Sequence, residues 1–171
     1  MNTSPDYATL PAFYAGYVGH VAHLSLAEAL RYSHEQLNKV LQSVPEEKGI
    51  YAYAPGKWTV KEVLCHIQDA ERIFAYRALR FARNDKTELP GFDEVQYTPE
   101  SNAHARTLKQ LIDELHRLRV TTFDLFNSFT PEMLSRSGKA NNNLVSVLNL
   151  GYIIAGHELH HLEVLKSRYG I

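Results

Sequence analysis

Apolar residues return at intervals of three and four along most of the chain, and four stretches carry that pattern far enough to read as amphipathic helices. Leu26, Leu30, Leu37, Val40, Leu41 and Val44 mark the first, which opens at Ser25 and stops at Pro45. Val60, Val63, Leu64, Ile67, Ala70 and Phe74 mark the second; Thr59 followed by Glu62 is a capping box, and the helix is predicted to run to about Arg83. Leu108, Leu111, Ile112, Leu115, Leu118, Phe126 and Phe129 mark the third, after which Thr130-Pro131 fits the cap and first turn of a short additional helix. The last is predicted from Ser146 as its cap, with Val145 and Leu150 as a hydrophobic staple, to Gly170 in the left-handed closing position.

Between the second and third helices, the stretch from Asn84 to Ala105 lacks periodicity and is punctuated by Pro90-Gly91 and Pro99. It is longer than most connections in a compact domain, so it either covers a site, with Phe92 and Tyr97 shaping a cleft, or crosses the bundle. "SGKANNN" reads as a break, and no segment alternates convincingly with a period of two. The pattern predicts an all-α fold, an antiparallel four-helix bundle with one short extra helix, as a single domain over residues 1–171.

Charge narrows the classes of partner. Eighteen Lys and Arg stand against nineteen Asp and Glu, a formal net charge of -1, so there is no overall field to attract nucleic acid or an anionic membrane. Arg72, Arg77, Arg80 and Arg83 crowd the second helix, but acidic neighbours make a charged outer face the expectation; Arg77 alone falls on the same side as His66 and is placed to meet an anionic group of a ligand. The N-terminal "MNTSPDYATLPAFYAG" has no basic and apolar leader pattern, and no window is apolar for the width of a bilayer, so a cytoplasmic protein is expected. Cys65 is the sole cysteine, which leaves imidazole and carboxylate for any metal chemistry.

The last helix contains "GHELHH", which satisfies H-E-x-x-H, the zinc-peptidase signature. Its third ligand should follow as H-x-x-G-x-x-H or as a later Glu, and "HLEVLKSRYGI" supplies no Gly at the required place. A zincin protease is therefore not expected. At 100° per residue Leu150, Ile153, Ile154, His157, His161, Val164 and Leu165 share one arc, so His157 and His161 face the core, where a metal would satisfy both rings. Core histidines bonded to carbonyls or carboxylates are the alternative, and a third ligand decides; His66, beside the Val63, Ile67 and Ala70 seam, is the best candidate. His160 and Glu158 flank the arc on opposite sides. His160 is read as a surface or interface residue, and Glu158 as a base or a group orienting a ligand. Asp69, one turn beyond His66, can hold a ring nitrogen or a water, or lie in a helical salt bridge. His20, His23, His34, His104 and His116 are expected at the surface, and Cys65 in the core or an interface.

These residues resemble the DinB-like, or YfiT-like, superfamily of metal-binding four-helix bundles, through "YAPGKWTVKEVLCHIQDAERIFAYRALRFARNDKTELPGFDE" and "LGYIIAGHELHHLEVLKSRYG". The resemblance implies one metal-ligating His from the second helix and two spaced H-x-x-x-H in the last, which fall on His66, His157 and His161. It further implies either thiol-dependent transfer, with a low-molecular-weight thiol such as mycothiol or bacillithiol, or metal-dependent hydrolysis, acting on a small-molecule substrate. It also implies a homodimer, for which Phe13, Tyr14 and Tyr17 are candidate surface residues unless the monomer buries them. The expected function is thus a metal-dependent enzyme with one divalent zinc, nickel or iron ion and Glu158 or Asp69 handling protons. A non-catalytic metal- or ligand-binding dimeric bundle is the rival.

Overall fold

In the computed structural model, which describes residues 4–171, every long helix begins at a side chain that accepts from one of its free N–H groups. Met1–Thr3, the start of the stretch read for a leader, lie outside the described residues. After a short α1 (Ala15–Gly19), Ser25 and Glu28 close a capping box on α2 (Leu26–Leu41), and Thr59 with Glu62 does the same for α3 (Val60–Ala82). Thr107 and Gln110 repeat the device on α5 (Leu108–Asn127), which follows α4 (Glu94–Glu100). Ser146 caps α7 (Val147–Tyr169) by accepting from the Asn149 N–H, and Gly170 ends it at φ 65°. Each such cap is worth about 1 kcal/mol.

Four long helices pack pairwise as α2 on α7, α7 on α3, α3 on α5 and α5 on α2, a ring in which α2 stands diagonally across from α3. One apolar core, with Leu30, Leu37, Leu64, Ile67, Leu111, Leu115 and Ile153 at its centre, fills it. α1 packs on α7 as well, so that α7 is flanked by α1, α2 and α3. Its burial accordingly runs around the helix from Val147 to Leu159 and not along a single stripe. Gly156 makes the α1 contact possible: a Cβ there would lie 2.0 Å from the Tyr17 carbonyl oxygen.

The long helices lie within a few residues of their predicted bounds; the short elements differ. Three short helices accompany the bundle where one is predicted, since α1 and α4 join α6 (Pro131–Ser135). The 84–105 connection is not structureless, because Asp93 caps α4 through the N–H groups of Val95 and Gln96. "SGKANNN" is half of a hairpin, β1 (Ser137–Ala140) antiparallel to β2 (Asn143–Ser146), with Ala140 opposite Asn143. Asn141 and Asn142 between them have φ of 49° and 61°, the left-handed pair that a two-residue primed turn needs and that Asn tolerates. Leu89 joins the edge of the hairpin through the carbonyl of Lys139 and the N–H of Asn141, which draws the connection back over the bundle. No helix among the described residues is long and apolar enough to cross a membrane.

Gly156→Ala should push the α1 backbone off α7 and lower stability by about 1–3 kcal/mol. Urea denaturation of the variant against the parent measures it, and an unchanged midpoint would show that α1 is not seated on α7.

Candidate metal centre

His66 projects from α3, and His157 and His161 from adjacent turns of α7; their ring nitrogens form one cluster. His66 Nε2 lies 3.1 Å from His157 Nε2, which lies 3.0 Å from His161 Nε2. A neutral imidazole nitrogen carries either a proton or a lone pair, so His157 Nε2 cannot serve as hydrogen-bond partner to both neighbours. A tetrahedral ion about 2.0–2.1 Å from each nitrogen would set them roughly 3.3 Å apart, close to what is seen. Burial lowers all three ring pKa values, His66 to about 4, His161 to about 3 and His157 well below its ordinary value, so the rings are neutral at pH 7 with lone pairs free. The donor set fits a divalent transition metal. Among the described residues no fourth His, Cys, Asp or Glu joins the cluster, which matches the three protein ligands of an open site.

Aromatic rings hold the ligands in place. Trp58 lies 4.9 Å from the His66 ring, and Tyr17 meets His157 edge-on at 5.5 Å. Two clefts meet at the cluster. One, of about 230 Å³, has His66 and His157 at its floor, Tyr14, Tyr17, Phe74 and Phe92 as walls, and Arg77, Glu94 and Asn141 as polar groups. The other, of about 360 Å³, is bounded by Tyr53, Trp58, Val63, Val95, Val164 and Tyr169 and reaches His161. Glu94 and Val95, consecutive in α4, thus face different clefts. A larger cavity of about 690 Å³ lies between α2 and α5 and contains none of the three rings, so size does not mark the site here.

Residues 29–165 match the model of the DinB superfamily. The chain belongs to that superfamily. It is 26% identical over 135 residues, 77% of this chain and 76% of the other, to the Oceanobacillus iheyensis protein named "Putative metal-dependent hydrolase OB0413". Its fold is similar to that of YfiT from Bacillus subtilis, described as a probable metal-dependent hydrolase with an unusual four-helix bundle topology; the TM-score is 0.68 at 17% identity, covering 99% of this chain and 94% of YfiT.

Within this DinB-superfamily bundle, Glu158 does not take the proton-handling position expected for it. Its carboxylate, fully buried, accepts from Arg119 Nη1 at 2.7 Å and lies 3.3 Å from His34 Nδ1. The reason is that this flank of α7 packs against α2, so the carboxylate is buried and turned toward α2 and α5. Arg119 also grips Glu71 through two bonds of 3.0 and 2.9 Å and donates to the Leu30 carbonyl and the Ser33 hydroxyl. Burial opposes both charges; the two carboxylates nevertheless raise the Arg119 pKa, and Arg119 and His34 outweigh desolvation to lower that of Glu158. His34 is therefore not a surface residue. Its Nδ1 donates to the Glu158 carboxylate, and its second nitrogen lies 3.0 Å from His116 Nδ1.

Asp69 also stays away from the cluster. It is half-buried, 3.5 Å from Arg72 in a helical ion pair, and beside the outer face of α4 near Tyr97. Burial raises its carboxyl pKa. His160 is half-buried against the Tyr17 ring at 4.8 Å. Phe13 is exposed, whereas Tyr14 and Tyr17 form cleft wall. Arg72 and Arg80 pair with Glu114 and Asp85 at the surface, but Arg77 is buried in the cleft. Glu94, the carboxylate that does reach the cleft, acts against burial to raise the His66 pKa. Sequence pattern offered no signal for it.

Arg119→Met should destabilise the protein by about 3–5 kcal/mol, because Glu71 and Glu158 lose their counter-charge, whereas Asp69→Asn should stay within about 0.5 kcal/mol. Chemical denaturation at pH 7 separates them. In metal-free protein the folded rings resist protonation that the unfolded chain accepts from pH 6.5 downward. Stability should therefore be full above pH 6.5 and fall steadily toward pH 4, as thermal melts across that window will record.

Proposed function

We propose that the chain is a metal-dependent enzyme acting on a small molecule, with hydrolysis as its reaction and one zinc, nickel or iron ion held by His66, His157 and His161. The convergence of three neutral Nε2 atoms, two of them at the floor of a cleft containing one free carboxylate, carries this reading. Such an ion, when bound, supplies Lewis-acid polarisation and brings the pKa of a water toward 7. Glu94 accepts the proton of the attacking water and returns it to the leaving group; it is exposed on the first turn of α4 and has no ion-pair partner among the described residues. Tyr14, Tyr17, Phe74 and Phe92 exclude bulk solvent and orient the substrate. A three-ligand cluster also argues against the non-catalytic bundle, whose ion would normally be closed by a fourth side chain.

A second reading, transfer to a low-molecular-weight thiol, draws support from the second cleft. Two reactants need two approaches to one centre, and the pocket at His161 is mostly apolar.

His66→Ala in untagged protein should abolish stoichiometric metal by elemental analysis, while His160→Ala retains it. Glu94→Gln should keep the metal and lose about 10²-fold or more in kcat on a hydrolysed substrate, against little change in Glu158→Gln that remains folded. Turnover that requires added bacillithiol or mycothiol and persists in Glu94→Gln would replace hydrolysis with the thiol reading.

A further inference from the structure

Two arginines are buried in this bundle, and their surroundings differ. Arg119, 3% exposed, is balanced by Glu71 and Glu158. Arg77, 4% exposed, has no carboxylate within ion-pair distance among the described residues. Its surroundings are neutral: Nη2 donates to the Pro90 carbonyl at 2.8 Å, and the Tyr14 phenol is the neighbouring polar group in the cleft wall. These leave part of the five-donor fork unoccupied, at the wall of the cleft whose floor is His66 and His157. A buried cation without a counter-charge is costly, and burial indeed lowers its pKa, so an anion arriving with a ligand would stabilise the arrangement.

We propose that Arg77 is the anchor for an anionic group of the substrate, a carboxylate or phosphate gripped by the guanidinium fork. The anion and the reacting atom are several bonds apart. Arg77 Cζ lies 5.7 Å from the Phe74 ring, which in turn lies 6.3 Å from the His157 ring, so the width of one aromatic side chain separates the anchor from the cluster. His66, Ala70, Phe74 and Arg77 follow one another on a single face of α3, which fixes that spacing in a rigid element. The substrate class is then a small molecule with an anionic end, an apolar middle lying along Phe74 and Tyr14, and the labile bond at the far end. This deepens the function proposed above and relies on it only for the location of the reacting atom.

The test uses 3-phenylpropionate and its neutral counterpart 3-phenyl-1-propanol, titrated calorimetrically into the full chain as purified with its metal and again after chelation. The acid should bind about tenfold or more tightly than the alcohol in both forms, and Arg77→Met should erase that preference while Arg77→Lys keeps part of it. Should Arg77→Met fail to fold, the Arg77 Nε–H resonance of the parent protein supplies the readout: it should shift with the acid and not with the alcohol. A preference confined to the metal-loaded form and retained in Arg77→Met, or an unmoved resonance, overturns the anchor while leaving the metal centre standing. Failure of the purified chain to bind metal would instead overturn the proposed reaction, and the chelated arm would still decide Arg77.

Discussion

The bundle is organised around the guanidinium of Arg119. From α5 it reaches Glu71 on α3, Glu158 on α7, and Leu30 and Ser33 on α2, so every long helix contributes a group to one buried cation. A charge placed in an apolar interior is tolerated only when its hydrogen bonds are complete, and completeness here requires all four helices at their proper rotations. Glu158 follows His157 directly in α7. Holding the carboxylate toward α5 therefore turns His157, and with it His161 one turn later, toward His66 on α3. The ion cluster and the histidine cluster are the two sides of one helix.

Much of this was legible in the chain. Ser25, Thr59 and Ser146 announced their helices because a cap is a local event, complete within four residues. The three histidines could be matched because His157 and His161 share an arc and His66 rides the seam of its own helix. Glu158 could not be placed by the same reasoning, which assumes one buried stripe and one wet face. α7 has no such division: α2 and α3 bury two of its flanks, Glu158 lying on that toward α2, and the short α1, a five-residue helix that leaves no periodic trace, covers the side of Gly156. His34 was more accessible to reading than its surface assignment allowed: it continues the line Leu30, Leu37 and Leu41. Glu94 was hidden for another reason. Seven residues of helix within a long connection acquire a face only when tertiary packing lays them on α3.

The same distinction separates the two clefts. The cleft with Arg77 and Glu94 has polar groups of both signs at fixed positions, and the one beneath Val95 is bounded mainly by rings and branched chains. The lining of the first is suited to hydrogen bonding and that of the second to apolar contact. Asn141, delivered by the tip of the hairpin, adds an uncharged amide to the first; its left-handed backbone also lets the strand return toward α7 within two residues.

α4 is the partition between these compartments, and it presents an acid to one side and an isopropyl group to the other from neighbouring positions. A helix this short is steered by the segment that leads into it. Removing one residue ahead of Asp93 would rotate it by about 100°, bringing Val95 to the first compartment and Gln96 to the second. The chemistry lining each cleft is thus open to change by altered spacer length, with His66, His157 and His161 left untouched.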